Sequence, residues 1–278
     1  MMVSNALCIP DCHVPWHDEK AWDIMLRVAK DFDAKHSHLD QPGLHEIVIL
    51  GDFLDFFGVS LHEKNELPEY DFFEEVHIGI KMLKELRAKF PKAKITYIEG
   101  NHEYRLKRYM WKNAKDLVGF MSVPNLLTLD DLGINWVPYG KYQKYRIFNS
   151  NLFARHEPFS NGEHVCAGTI KKGRGASWIF GHTHRVQYSQ INDVWMQPIE
   201  AISAGWLGLP GSSVVNYIKN HEQWLQSFTF IQVIQDSGVW FHDQVIIKDH
   251  QAIWDNKFYA SKDPRQLPEG LPKLPDTP

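Results

Sequence analysis

Five short apolar runs, each breaking off in a turn that carries Asp, Asn or His, constrain this chain more than any other feature. Ala6-Leu7-Cys8-Ile9 leads into Asp11, Ile47-Val48-Ile49-Leu50 into Gly51-Asp52, and Ile95-Thr96-Tyr97-Ile98 into Gly100-Asn101-His102. Leu152-Phe153-Ala154 leads to His156, and Trp178-Ile179-Phe180 into Gly181-His182. Runs this short, rich in β-branched residues and bounded by Gly or Asp, read as buried strands. Periodicity alone would also admit short buried helices; length and the flanking glycines favour strands.

Helical patterns lie between the early runs. From Lys20 to Lys35, Trp22, Met25, Ala29 and Phe32 share one face. From Asp71 to Phe90, Phe73, Val76, Ile80, Leu83 and Phe90 do the same, and Pro91 ends the run. Alternating strand and helix implies a largely parallel sheet with helical crossovers. After about residue 140 helical patterns fade, while Phe228 to Ile234 and Gln244 to Ile247 read as strands with Asp236-Ser237-Gly238 as a turn nearby. The expected fold class is α/β, with two sheets packed face to face and helices outside.

The chain has 278 residues, 44% of them apolar, enough for one sizeable core. A single domain is expected over residues 1–260, followed by a proline-rich tail over 261–278 with five prolines from Lys262 onward. The polar, acidic stretch from Leu61 to Tyr70 reads as a loop near the mouth of any site. A formal net charge of −4 is not that of a dedicated duplex clamp. Three cysteines, Cys8, Cys12 and Cys166, make no disulfide framework and fit a reducing compartment. Met1 to Pro10 does not read as a signal peptide, and no stretch approaches the ~20 apolar residues of a membrane helix. A soluble cytoplasmic protein without a membrane partner is expected; the oligomeric state stays open.

The polar residues after the five runs carry the chemistry: Asp11-Cys12-His13, Gly51-Asp52, Gly100-Asn101-His102-Glu103, His156 and Gly181-His182-Thr183-His184. In open α/β sheets ligands collect beyond the carboxyl ends of strands, so five strand ends can converge on one crevice. Carboxylate, imidazole and amide oxygen without thiolate suit hard to borderline divalent ions. Asp11, His13, Asp52, Asn101, His156, His182 and His184 are too many for one tetrahedral zinc and fit two ions sharing a bridge. Asp52 is the expected bridge, because a carboxylate can span ions about 3.5–4 Å apart. In extended backbone residues i and i+2 point the same way, which would let Asp11-x-His13 and His182-x-His184 each deliver two ligands to one place. Cys12 should point away into packing.

Asp-x-His, Gly-Asp, Gly-Asn-His-Glu, a lone His and Gly-His-Thr-His, in that order from Asp11 to His184, resemble the calcineurin-like metallophosphoesterases. The resemblance implies a four-layer αββα sandwich and a binuclear site. One ion would take Asp11, His13, Asp52 and His184; the other would take Asp52, Asn101, His156 and His182. His102 would be the catalytic histidine beside the ions. Two departures stand out. The protein Ser/Thr phosphatases carry Asp-Arg-Gly after Gly-Asp, whereas Asp55 here precedes Phe56-Phe57, which disfavours that branch. The lone His often precedes Gly, whereas His156 precedes Glu157; His164 is the fallback ligand. The overall pattern is most similar to members carried by phages and mobile elements, with a basic stretch after Gly-Asn-His-Glu.

Expected is a phosphoesterase that hydrolyses phosphate esters of nucleotides or similar small substrates by a metal-activated hydroxide. Mn²⁺ is the first choice, with Fe²⁺, Zn²⁺, Ni²⁺ or Mg²⁺ as alternatives. A nuclease or phosphodiesterase of the same fold is the rival. Asp55 and Glu103 are candidates to hold ligands from behind. Tyr104 to Lys115 interleaves cations with rings and has no acid. There Arg105, with a bidentate fork onto phosphate, and Tyr104 and Arg108 beside it are the expected substrate contacts. Lys171-Lys172-Gly173-Arg174 is a second basic loop.

Overall fold

The computed structural model describes residues 2–38, 41–60, 70–118, 121–173, 175–193, 197–212 and 221–261. The proline-rich tail from Lys262, most of the loop at 61–70, and Arg174 lie outside them.

The five apolar runs are strands β1 (Val3–Ile9), β2 (Glu46–Ile49), β3 (Lys94–Ile98), β6 (Leu152–Arg155) and β7 (Ser177–Phe180). The first three pair in parallel and are joined by β4 (Ile134–Val137), also parallel. Beyond β1 the sheet continues antiparallel through β10 (Gln226–Ile234) and β11 (Trp240–Ile247), in the order β11-β10-β1-β2-β3-β4. A second mixed sheet runs β5 (Tyr145–Arg146), β6, β7, β9 (Pro198–Ala204), β8 (Val186–Asn192). The hairpin β12 (Gln251–Trp254) and β13 (Lys257–Ala260) packs beside the first helix.

Period-two alternation along the strands builds the layers. Leu7, Ile9, Ile47, Ile49, Ile95 and Tyr97 face helices α1 (Glu19–His36) and α2 (Phe72–Lys89). The intervening Ala6, Cys8 and Val48 face the second sheet, where Ala154, Ile179, Ile202 and Ala204 meet them. Small side chains on this inner face let the sheets approach closely. On the far face Trp178, Phe180 and Ala201 pack against Val165, Cys166 and Ile170 of α5 (Val165–Lys172). The result is a four-layer αββα sandwich.

Both early helices start at side-chain caps. Asp18 accepts from Lys20 and Ala21 N–H before α1. Asp71 forms a capping box with Glu74 before α2. The core face of α2 differs from the sequence reading: Phe73 is 75% exposed and Ile80 is half-buried, while Val76, Gly79, Met82, Leu83 and Leu86 are buried. Gly79 lets the helix settle against Leu54, because a Cβ there would stand 2.7 Å from Leu54 Cδ2. The fading of helices after residue 140 also needs correction. Between the final two strand-end motifs lies α5, only 8 residues long and containing Gly168, too short for a helical period to show. Lys171 and Lys172 form its last turn rather than a loop. The short α4 (Val123–Leu126) and α3 (Glu103–Asn113) complete the helices named here.

Phe230 of β10 stacks on Phe32 of α1 with centroids 4.0 Å apart and planes 7° from parallel. Both rings are buried, so Phe230→Ala should destabilise by about 3–5 kcal/mol, read from the denaturation midpoint. A loss under about 1 kcal/mol would mean that α1 closes over the cavity and that this layer is not rigidly packed.

Candidate metal centre

Each strand-end motif turns sharply on leaving its strand, and the turns are laced to one another. His13 N–H donates to Asp52 C=O at 2.9 Å and Val14 N–H to Phe53 C=O at 2.8 Å. His102 N–H donates to Asp52 Oδ1 at 2.9 Å, and His182 N–H to Asp11 Oδ1 at 2.9 Å. The turns lie so close that side chains are excluded at two places. A Cβ on Gly100 would stand 2.1 Å from Asp52 Oδ1 and 2.3 Å from its backbone N. Gly51, at φ +95°, would meet Gly100 backbone at 2.9 Å and His156 Nδ1 at 2.6 Å. His13, Asp52, His182 and His184 adopt left-handed φ of 53°, 46°, 65° and 57°. Such non-glycine conformations cost on the order of 1–2 kcal/mol each. Asp11 and His13 do reach one place, although through a left-handed His13 rather than extended backbone, whereas the expectation for His182-x-His184 does not hold. The left-handed turns re-aim the side chains, and they send His182 and His184 to different places.

Those places are two groups of side chains: Asp11, His13 and His184 converge in one, and Asp52, His156 and the half-buried His182 in the other. A third group, His13, Asp55 and His102, adjoins the first through His13. Asn101 joins the second group: its Oδ1 lies 2.9 Å from His156 Nε2 and 2.8 Å from His182 Nδ1. All seven residues named from the sequence as ligands are thus brought together. Glu157 turns instead to Tyr139, whose O–H donates to it at 2.6 Å. His164 stands before α5, outside both groups.

The protons show what the groups lack. His156 Nδ1 donates to Leu50 C=O at 2.9 Å, so neutral His156 carries only a lone pair at Nε2. That lone pair faces Asp52 Oδ2 at 3.2 Å and Asn101 Oδ1 at 2.9 Å, both acceptors. Likewise His13 commits Nδ1 to Asp55 Oδ2 at 2.9 Å and brings Nε2 to within 2.9 Å of His184 Nε2. Acceptors converging on acceptors, out of water, call for a cation between them. Hard and borderline donors of this kind fit divalent ions. In the bare protein a proton takes that place at His156: burial would lower its pKa, but Asp52, Asp11 and Glu103 raise it to about 10. Burial likewise would raise Asp52, yet His102, His156 and His13 hold it well below the usual carboxylate range. His184, under burial, falls to about 4 and so is a neutral donor at pH 7.

Behind the donors stand two fully buried carboxylates. Asp55 Oδ2 receives His13 Nδ1 at 2.9 Å and Oδ1 receives Arg105 Nη1 at 3.2 Å, while His102 Nδ1 donates to the Asp55 backbone C=O at 3.0 Å with Oδ2 3.1 Å away. Burial opposes its charge, but His102 and His13 hold its pKa far below the usual range. Glu103 accepts from the backbone N–H groups of Asp52, Leu54 and Gly100 at 3.0, 2.9 and 2.8 Å, and from Tyr97 O–H at 2.7 Å. Arg105 is engaged within the protein. Nη1 donates to Asp55 C=O at 2.9 Å and Nη2 to His102 Nε2 at 2.9 Å, so a bidentate fork onto substrate would break this pairing. Tyr104 leans on Tyr139 with centroids 4.9 Å apart, and Arg108 is exposed.

Residues absent from the sequence reading complete the shell. Tyr97 reaches Glu103, and Gln143 Oε1 receives His156 N–H at 3.0 Å. Trp206 stacks on His184 at 5.2 Å, and Trp224 meets it edge-on at 4.1 Å. Alternation placed Tyr97 on the helix side of its strand; no sequence signal selects the others.

A family model for calcineurin-like phosphoesterases matches residues 5–186, about two thirds of the chain, and the chain belongs to that family. Membership, with the buried His and Asp groups, makes it a metal-dependent phosphoester hydrolase. No curated protein matches it.

Glu75 of α2 accepts a hydrogen bond from Phe56 N–H beneath Asp55. Burial, then the charges of Asp55 and Glu103, push its pKa well above the ordinary 4.5. A raised carboxyl binds more protons folded than unfolded. Its contribution is therefore fully present below about pH 4.5 and is lost as pH rises through the folded pKa. Glu75→Gln, uncharged throughout, should raise the Tm of the metal-free protein at pH 8 by about 2–4 °C per kcal/mol recovered, and should do little at pH 5. Equal shifts at both pH values would exclude the charge as the cause.

Proposed function

We propose that the protein hydrolyses phosphate esters of nucleotides or similar small molecules with two divalent ions, Mn²⁺ first. The observation that carries this is the pair of groups, Asp11/His13/His184 and Asp52/His156/His182 with Asn101; Asp52, in the second, is the carboxylate that both ions would share. Bound there, the ions supply Lewis acidity at the phosphoryl oxygens and a water acidic enough to ionise near neutral pH. Phe56 in place of the arginine of protein phosphatases supports a small substrate.

The chain's own residues position and move protons. His102 Nε2 lies 3.7 Å from Asp52 Oδ2, and the ring groups with His13 and Asp55, apart from the two groups that would hold the ions. Asp55 orients the ring through Nδ1, so Nε2 is the atom left to serve the leaving oxygen. Arg105 now occupies Nε2 and has to yield it to substrate; its part is to position His102. Tyr104 and Arg108 remain the substrate-side residues of α3. The three cysteines are free and buried, which supports a reducing, cytoplasmic setting; no described helix is long and apolar enough to cross a membrane. The basic stretch after Gly-Asn-His-Glu supports the branch carried by phages and mobile elements.

Elemental analysis after Mn²⁺ loading should find two ions per chain, and Asp52→Asn should weaken both sites and abolish turnover of p-nitrophenyl phosphate. One ion or none at saturation would overturn the binuclear reading. His102→Gln should keep both ions while kcat falls roughly 10²–10⁴-fold, and less for esters with a good leaving group. Loss of an ion from that variant would instead make His102 a ligand.

A further inference from the structure

The exposed face of α3 has a composition that its own fold does not use. Glu103, Leu106 and Met110 form the buried side of the helix. Tyr104, Lys107, Arg108 and Trp111, at i, i+3, i+4 and i+7, share the opposite face. Trp111 is 45% exposed, although a ring this large is ordinarily well buried. Lys107 Nζ lies 5.2 Å from the Trp111 ring centroid and 5.9 Å from that of Tyr104, so ring and cation alternate in contact. Lys107, Arg108, Lys112 and Lys115 are all exposed, and no acid interrupts Tyr104 to Lys115.

The face is continuous with the metal centre. Tyr104 meets Tyr139, and Tyr139 O–H reaches Glu157, which follows the donor His156. Beside Tyr139, Tyr142 is 84% exposed with Lys141 Nζ 5.6 Å from its ring. Exposed rings interleaved with cations match unpaired bases on a phosphate backbone; in a duplex the base faces are already covered. The net charge of −4 does not oppose this, because beyond a Debye length of about 8 Å at physiological salt the remaining charges are screened.

We infer that this face is a track for single-stranded nucleic acid, which leads the end of a strand to the metal centre. The inference rests on the nucleotide-type reading of that centre and extends it from free nucleotides to strands.

Binding of a fluorescein-labelled twelve-nucleotide oligothymidine to the full chain, followed by anisotropy in EDTA, tests it without turnover. With four cations engaged, log K should fall against log salt with a slope of about −2.8, roughly 50-fold between 50 and 200 mM. Lys107→Glu with Arg108→Glu should flatten the slope by about 1.4. Trp111→Ala, at an exposed site, should weaken binding at least about 5-fold and leave the slope unchanged. The track is overturned if Trp111→Ala or the double variant has no effect, if a duplex of equal length competes equally, or if phosphatidylserine vesicles bind more tightly through the same residues. Strand binding with these signatures but no Mn²⁺-dependent turnover of any ester would sink the catalytic reading and leave the track. Turnover of small esters without strand binding would do the reverse.

Discussion

The carboxylate of Glu103 holds the centre together. Four donors, three of them backbone N–H groups from the turns after β2 and β3, converge on its two oxygens in a site closed to water. A buried carboxylate without such donors would not be tolerated, and the turns without it would leave three buried N–H groups unpaired. Each requires the other. Burial, and then the charge of Asp52, still raise the Glu103 pKa to about 7. Because Glu103 fixes Asp52 and Gly100 in one frame, the Asp52 carboxylate, the Asn101 amide and the His102 ring inherit their positions from it.

The surrounding layers exist to hold five such turns at one end of two sheets. Inner-face residues as small as Ala6, Ala154 and Ala204 let the sheets close, and that closure brings His156 and His182 from the second sheet onto Asn101 from the first. Left-handed backbone at four ligand positions is strain that a cation can offset once donors point at a common centre. In the bare protein a proton on His156 stands in for that cation. Proton and metal ion compete for the same lone pair, so metal affinity and pH are linked in this centre.

Around the donors, hydrogen bonds decide which atom of each ring is free. Leu50 C=O takes His156 Nδ1, and Asp55 takes Nδ1 of both His13 and His102, so in each ring Nε2 is the atom presented to the site. Arg105 has partners of its own that spacing does not show. Two residues past Gly-Asn-His-Glu, it donates to the carbonyl and carboxylate of the buried Asp55, whose charge His13 and His102 also face.

Much of this was legible in the chain itself. Strand ends, the order of the Asp, Asn and His motifs, and the alternation of β1 to β3 with α1 and α2 follow from local pattern, because burial on one face writes itself into residue spacing. The seven donors could be named because each follows an apolar run. What local pattern does not hold is direction. Whether His182 and His184 serve one place or two, that Phe73 faces solvent, that Gln143 and Trp224 back the donors, and that Arg105 turns inward all depend on residues far away in sequence. Sequence determined which groups are available at the strand ends. Only the tertiary structure decided where they point, because left-handed turns, close glycine contacts and buried hydrogen bonds arise between segments after the sheets have closed.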